Sequence, residues 1–116
     1  MKKILIIFFL AVFSIGSYAD ERIALVIGNA DYEEKPLKYS VNDAKHIAAT
    51  LEELNFKVML VEDADIAEME NTLGEFSSWM KESNTSLFYY SGHAVQLGSK
   101  NYLLPIKSMK KISKDL

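Results

Sequence analysis

The residue best suited to acid–base chemistry in this sequence is His93, which lies in the stretch FYYSGHAVQ at positions 88–96. An imidazole titrates near neutral pH, so a histidine just after a strand and beside Gly92 can lie in a crevice and act as a base. A single histidine after a strand is more often structural, and the residue alone leaves both interpretations open. The other histidine, His46, lies on the polar side of a predicted helix and is expected to be solvated.

Two further polar residues, Asn42 and Asp43, lie at the start of that predicted helix. A carboxylate in the first turn is favoured by the helix dipole, which gives Asp43 a structural explanation. The same turn faces the crevice expected beside His93, so Asp43 could instead receive a cationic group of a substrate. Asn42 has the same two interpretations.

Other kinds of catalytic or cofactor site find little support. Ser91 lies two residues before His93, but YSGHA is not the GxSxG turn of serine hydrolases, and no orienting acid accompanies it. Two distant histidines without a cysteine do not form a recognisable metal-ligand set. The stretch GNADY at 28–32 has too few glycines to cradle a phosphate. We therefore expect neither a metal nor another cofactor.

The elements that would position these residues alternate between strands and helices. Continuous apolar runs predict three strands, and apolar residues at helical spacing predict two helices between them. Ser40 or Asn42 is expected to cap the first helix, and Asp65 and Glu68 are spaced as a capping pair for the second. The predicted strands span 22–29, 56–63 and 86–92, the helices run from about 40 to 55 and from about 65 to 80, and 101–106 forms a further extended piece.

This order predicts an α/β fold of three layers, with a parallel sheet in strand order 2-1-3 and helices on both faces. Ligands in such sheets bind beyond the carboxyl ends of the strands, at the point where the order reverses. That point lies between the first and third strands. The loop after Gly28, the start of the first helix and His93 would therefore meet in one crevice.

The first 19 residues have the pattern of a secretory signal peptide. Lys2 and Lys3 precede an apolar run from 4 to 15, and the small-x-small sequence SYA follows at 17–19. The run is short for a bilayer span, so an uncleaved membrane anchor is the alternative and no stable anchor is expected. We expect cleavage after Ala19 and export to the periplasm or beyond. The remaining chain divides into a folded region at 20–106 and a polar tail at 107–116.

The charge of the chain argues against nucleic acid as a partner. Without residues 1–19 the chain would keep 16 acidic residues against 11 basic ones, because Lys2 and Lys3 are two of its 13 basic residues. A net negative charge does not favour binding to phosphate backbones. The absence of cysteine excludes a disulfide framework and a thiolate metal site within this chain.

Three stretches, taken in order and spacing, resemble the first half of the caspase-like and metacaspase-like cysteine peptidases. They are RIALVIGNADY at 22–32, PLKYSVNDAKHIAATLEELNFKV at 36–58 and LFYYSGHAVQLGSKNYLLP at 87–105. The resemblance covers about Arg22 to Ile106. It implies a caspase-like fold that is incomplete, with only the N-terminal, histidine-bearing half present.

The resemblance also implies roles for individual residues. His93 matches the catalytic histidine of the family's SGH motif, and Gly92 precedes it as expected. Ala94 stands where most members have a glycine whose N–H helps to form the oxyanion hole; alanine keeps the N–H but does not adopt positive φ cheaply. Asp43 matches the acidic residue that selects Arg or Lys in metacaspase-like members. The predicted substrate-binding residues are Asp43, Asn42 and Asn29.

The departure from the family is the nucleophile. In the family a cysteine roughly 50 residues beyond the histidine attacks the peptide carbonyl, and this chain contains no cysteine. Ser91 and Ser99 cannot replace it, because each lies on the histidine's own loop. We expect a chain that is inactive alone and whose third strand has an open apolar edge. The hypotheses are a domain truncated after its histidine-bearing half, a non-catalytic module that binds a basic peptide, and a half completed by a second chain that carries the cysteine.

Overall fold

A mixed five-stranded sheet forms the centre of the protein. The computed structural model describes residues 2–14 and 21–108, except for the side chains of 2–4, 13 and 14. The strand order is β1-β4-β2-β3, with β5 paired to the end of β4. Strand β2 is parallel to β3 and β4, whereas β1 and β5 are antiparallel to β4. The elements are β1 (Lys2–Ser14), β2 (Arg22–Gly28), α1 (Ser40–Glu53), β3 (Phe56–Glu62), α2 (Ile66–Met80), β4 (Thr85–Leu97) and β5 (Lys100–Leu103).

The predicted α/β class and the central strand order are confirmed, because β3-β2-β4 is the order 2-1-3 of the three expected strands. Strand β2 is buried on both faces, which explains its continuous apolar run. Ala24 and Val26 pack on the side of α1. Ile23, Leu25 and Ile27 pack on the side of α2. The two helices therefore cover opposite faces of the sheet.

Strand β4 is longer than predicted, and this changes the setting of His93. The Ser-Gly pair before His93 suggested that the strand stops at Gly92, but β4 continues to Leu97. Beyond Gly92 the strand has β1 on one side, and from Ala94 it also has β5 on the other. Because ladder partners exist on both sides, the backbone stays extended and His93 lies within a strand.

The helix starts agree with the prediction in one case and differ in the other. Asp65 and Glu68 form the expected capping box: the Asp65 side chain accepts from the Glu68 N–H at 2.9 Å. The start of α1 has no side-chain cap, and its N-cap position is Tyr39. The expectation that Ser40 or Asn42 caps this helix was wrong, because the helix already includes both residues.

A close approach fixes the start of α1 against the end of β2. A Cβ added at Gly28 would lie 2.7 Å from the Ala44 Cβ and 2.7 Å from the Ser40 carbonyl oxygen. Such separations are too short for carbon and oxygen atoms in contact, so only glycine fits there. The missing side chain lets the first turn of α1, with Asp43, lie directly over the carboxyl end of β2.

The N-terminal segment forms an edge strand that the sequence analysis did not predict. Strand β1 pairs with β4 along its whole length, from Lys2 opposite Leu97 to Ser14 opposite Thr85. The edge of β4 expected to be open is therefore covered. Large apolar side chains on β1 remain exposed, among them Phe8 at 64%.

The signal peptide stays a prediction. The expected cleavage site after Ala19 falls at residues 15–20, outside the described residues, and so does the tail from 109 onward. Neither helix in the described part of the chain is long and apolar enough to cross a membrane.

Candidate active site

The carboxyl end of β2 and the second half of β4 place His93 and Asp43 on the α1 side of the sheet, whereas the Asn29 amide bonds to the connection that leads into α2. Leu87 and Tyr89 of β4 pack against α1. Side chains alternate along a strand, so Ser91 and His93 point to that same face. Since the loop after β2 and the start of α1 border this face, the position expected for His93 beside the GNADY loop agrees with the fold.

His93 is buried, with 3% of its surface exposed, and one ring nitrogen has a defined partner. Its Nε2 lies 2.7 Å from the backbone carbonyl oxygen of Lys35. A carbonyl oxygen can only accept, so the neutral ring must carry its proton on Nε2. The lone pair is then on Nδ1, which is buried and has no hydrogen-bond partner among the described residues. The geometry makes Nδ1 the atom that could accept a proton.

The loop that provides the Lys35 carbonyl is held in an unusual backbone conformation. Lys35 has φ 55°, in the left-handed region that non-glycine residues seldom adopt. The Asp63 carboxylate at the end of β3 accepts hydrogen bonds from the N–H groups of Ala30 and Asp31, each at 2.9 Å. These bonds attach the start of the loop to the sheet.

Two tyrosines hold the backbone of His93. The Tyr32 hydroxyl oxygen accepts the His93 N–H at 3.0 Å, and the Tyr90 hydroxyl donates to the His93 carbonyl oxygen at 2.7 Å. Tyr32 in turn donates to the Leu104 carbonyl oxygen at 2.8 Å. Burial raises the pKa of both phenols above the usual value, so both hydroxyls stay protonated at neutral pH.

The two residues that flank His93 are strand residues in this structure. A Cβ added at Gly92 would touch the hydroxyl groups of both tyrosines, so glycine leaves the space that those groups occupy. Ala94 is fully buried, has ordinary strand φ, and pairs with Leu5 of β1 and Leu103 of β5. An oxyanion role for either residue stays a prediction.

Asp43 lies on the same side of the sheet as His93, whereas Asn42 is exposed. The half-buried Asp43 is close enough to β4 to act on Tyr89: burial is the main reason that the pKa of Tyr89 is raised, and the negative charge of Asp43 adds to it. Asp43 therefore lies on the helix that covers the face carrying Ser91 and His93. Binding of a basic side chain by Asp43 or Asn42 stays a prediction.

Asn29 is fully buried, and its amide is bonded to the backbone. Its Oδ1 accepts the Ala64 N–H at 2.9 Å, and its Nδ2 donates to the Leu104 carbonyl oxygen at 3.3 Å. These bonds tie the connection between β3 and α2, and the segment after β5, to the end of β2. The amide thus has a structural role, and a contact with substrate stays a prediction.

Two groups that act directly on His93 were not predicted from the sequence. Tyr32 was visible as the aromatic residue of GNADY, next to a buried strand, and that position was a usable signal. The Lys35 carbonyl gave none, because any residue type carries the same backbone oxygen. No group of three acidic or histidine side chains that could hold a metal ion occurs within residues 2–14 and 21–108.

The fold and the site together define a class: a doubly wound α/β protein with a buried histidine in a central strand, beyond the carboxyl end of the neighbouring strand, arranged to accept a proton. Comparison with known proteins identifies the family. The family described as the caspase domain matches residues 21–115, and the chain belongs to that family.

The relatives in the comparison are much longer proteins. The chain is 33% identical over 89 residues to mucosa-associated lymphoid tissue lymphoma translocation protein 1 of Homo sapiens, and equally to its homolog of Mus musculus. The matched region is 76% of this chain and 11% of each relative. The chain therefore spans about a tenth of the length of these curated relatives. No solved structure matched significantly.

Proposed function

We propose that the 116-residue chain is the histidine-bearing half of a caspase-like cysteine endopeptidase domain and does not hydrolyse peptides alone. The observation that carries the proposal is the pairing of His93 Nε2 with the Lys35 carbonyl oxygen at 2.7 Å, which leaves the lone pair on Nδ1. An imidazole in this state can take the proton of a thiol and later give it to a leaving amine.

The missing component is the nucleophile, because the chain has no cysteine. Ser91 does not substitute for it. Its side chain lies two residues from His93 on the same strand face, is fully buried, and its Oγ has no hydrogen-bond partner among the described residues. No base among residues 2–14 and 21–108 contacts this hydroxyl, and burial keeps a peptide carbonyl away from it.

We propose Asp43 as the group that selects Arg or Lys in a bound peptide. It lies in the first turn of α1, half-buried, on the face of β4 that carries His93. A carboxylate in such a setting stabilises a guanidinium or ammonium group by a charge-assisted hydrogen bond, whereas an uncharged amide does so far less. Asn42, which is exposed, is the neighbouring residue proposed to contact the peptide. A contact by Asn29 requires its fully buried amide to leave the Ala64 and Leu104 backbone groups that it binds.

The activity test uses the 116-residue chain with fluorogenic peptides that end in Arg or Lys. No release above that of buffer is expected for the wild type or for His93→Ala. If the wild type releases fluorophore and His93→Ala does not, the proposed inactivity is wrong.

The specificity test measures binding of a labelled Arg-ending peptide by fluorescence anisotropy. Asp43→Asn should weaken binding at least tenfold, since loss of one charge-assisted bond costs about 1.5–3 kcal/mol. Glu52→Gln, which removes an exposed carboxylate from the same helix, should change binding by less than twofold. Equal binding by wild type and Asp43→Asn would remove Asp43 from the proposal.

A non-catalytic module that binds basic peptides is the second candidate, and a half completed by another chain is the third. The sequence of the DNA directly downstream distinguishes a peptidase half from a stand-alone module. A continuing or frameshifted frame that encodes a strand ending in D-x-C supports a truncated or split peptidase, whereas a long unrelated stretch supports a stand-alone module.

We further propose that residues 1–19 direct export and are removed. Residues 2–14 of this segment form β1, so cleavage would reopen the edge of β4. N-terminal sequencing of the protein from exported and cytoplasmic fractions tests this, and an exported chain that still begins at Met1 would contradict it.

A further inference from the structure

Tyr32 contacts His93 in two ways, through its hydroxyl and through its ring. The hydroxyl oxygen accepts the His93 N–H at 3.0 Å. The ring meets the imidazole edge-on, with centroids 4.6 Å apart and planes at 60°. We propose that Tyr32 is a positioning residue that fixes the imidazole of His93 against the Lys35 carbonyl, so that Nδ1 keeps the lone pair. The significance of this orientation rests on the function proposed above.

The position of Tyr32 in the chain lets it act on both members of the His93–Lys35 pair. Tyr32 and Lys35 belong to one short loop, closed by hydrogen bonds from the N–H groups of Tyr32 and Leu37 to the Ala30 carbonyl oxygen, each at 2.9 Å. The Tyr32 side chain, 2% exposed, attaches this loop to β4 and to the segment after β5. Fixing Tyr32 therefore fixes the Lys35 carbonyl relative to the imidazole.

Without the Tyr32 hydroxyl, the structure offers less to keep the ring in one state. The His93 N–H would lose its acceptor, and the loop would lose its bond to the Leu104 carbonyl oxygen. The Lys35 carbonyl would then approach Nε2 less tightly, and the reason for Nε2 to hold the proton would weaken. A mixture of the two neutral tautomers follows.

Tyr90 provides the comparison that separates positioning from general support. Its hydroxyl donates its one proton to the His93 carbonyl oxygen at 2.7 Å, with the Leu104 carbonyl oxygen and the Tyr32 hydroxyl each 3.1 Å away, so it stabilises the same backbone. Its ring, however, packs in the apolar cluster on the α2 side. Loss of the Tyr90 hydroxyl should lower stability and leave the imidazole against the Lys35 carbonyl.

The experiment is nitrogen-15 NMR of the histidine rings in the 116-residue chain near pH 8, where protonated and unprotonated ring nitrogens give well-separated signals. His46→Gln assigns the signals, and the exposed His46 is an internal reference for a ring free to exchange. The wild type should show His93 in the Nε2–H tautomer. In Tyr32→Phe, which keeps the ring, the tautomer ratio should fall about fivefold, the effect of losing one net hydrogen bond.

Tyr90→Phe should lower the urea midpoint and retain the wild-type His93 pattern. The proposal is overturned if Tyr32→Phe also retains that pattern, or if Tyr90→Phe changes the tautomer ratio as much. It is overturned by the wild type alone if His93 carries its proton on Nδ1, whatever the variants do. None of these readings needs a cysteine or a peptide, so failure here is distinct from failure of the proposed peptidase relationship.

Discussion

Replacement of Gly92 by alanine tests whether this glycine is required by packing around the tyrosine pair. The added Cβ would lie 2.8 Å from the Tyr32 hydroxyl oxygen and 2.8 Å from Tyr90 Cζ, and closer still to the Tyr90 hydroxyl. Ordinary contacts begin near 3.5 Å, so these groups must move by at least about half an ångström. Tyr32 is 2% exposed and Tyr90 is fully buried, which leaves little room for that movement.

The expected cost has two parts. Overpacking of a filled core costs about 1–3 kcal/mol, and displaced hydroxyls lose one or two hydrogen bonds of about 1 kcal/mol each. Gly92→Ala should therefore lower the free energy of unfolding by about 2–5 kcal/mol. In urea this moves the midpoint down by about 1 M or more.

The assay is urea unfolding followed by the fluorescence of Trp79, the single tryptophan. Gly74→Ala is the matched control, because nothing lies within 4 Å of a Cβ added there in the interior of α2. That control should stabilise the protein by about 0.5–1 kcal/mol through helix propensity. If Gly92→Ala unfolds within 0.5 kcal/mol of the wild type, or if both variants shift the midpoint in the same direction, the packing explanation fails.

Three further changes have defined outcomes. Asn29→Ala should lower the free energy of unfolding in urea by about 2–4 kcal/mol, because it leaves a buried N–H and a buried carbonyl without this partner. The control Asn42→Ala removes an exposed side chain and should change that free energy by less than about 0.5 kcal/mol. Equal effects of the two substitutions would contradict the structural role of Asn29. Asp65→Ala should cost about 1 kcal/mol through loss of the capping box, and an unchanged midpoint would refute the cap. Burial raises the pKa of Tyr32 and Tyr90 above 10.0, so the two phenols lose their protons at lower pH in the unfolded chain than in the folded one. Their contribution to the free energy of unfolding should therefore be constant below pH 10 and fall above it. Tyr32→Phe should reduce that slope by up to about 1.4 kcal/mol per pH unit, and an unreduced slope in urea titrations at pH 9–11 would contradict the assignment.

The central layers of the fold were predictable because each of their sequence patterns fits one kind of secondary structure. A continuous apolar run such as Ile23–Ile27 suits a strand buried on both faces, and the Asp65–Glu68 pair suits a helix start. The segment forming β1 has two explanations, since a basic start followed by an apolar run describes both a signal peptide and a β-strand. Periodicity does not separate them, and the pairing with β4 depends on contacts distant in sequence.

The site was predictable where residue type carries the chemistry. Asp43 follows from its position at a helix start, and His93 from its residue type, although it lies within β4 and not after a strand. Gly92 was interpreted as the end of a strand, but it is a strand residue that makes room for tyrosine hydroxyls. The Lys35 carbonyl could not be predicted, because its role depends on backbone direction and on a φ of 55°.

The bonds that orient His93 also stabilise the fold. The Leu104 carbonyl oxygen accepts from the side chains of Asn29, Tyr32 and Tyr90. This cluster closes the segment after β5 over the carboxyl end of the sheet and, in doing so, holds the His93 backbone. Packing alone can preserve the position of the imidazole in a chain without cysteine. Stability measurements therefore report on the hydrogen bonds to Leu104, whereas the tautomer of His93 and the binding of basic peptides report on the candidate active site.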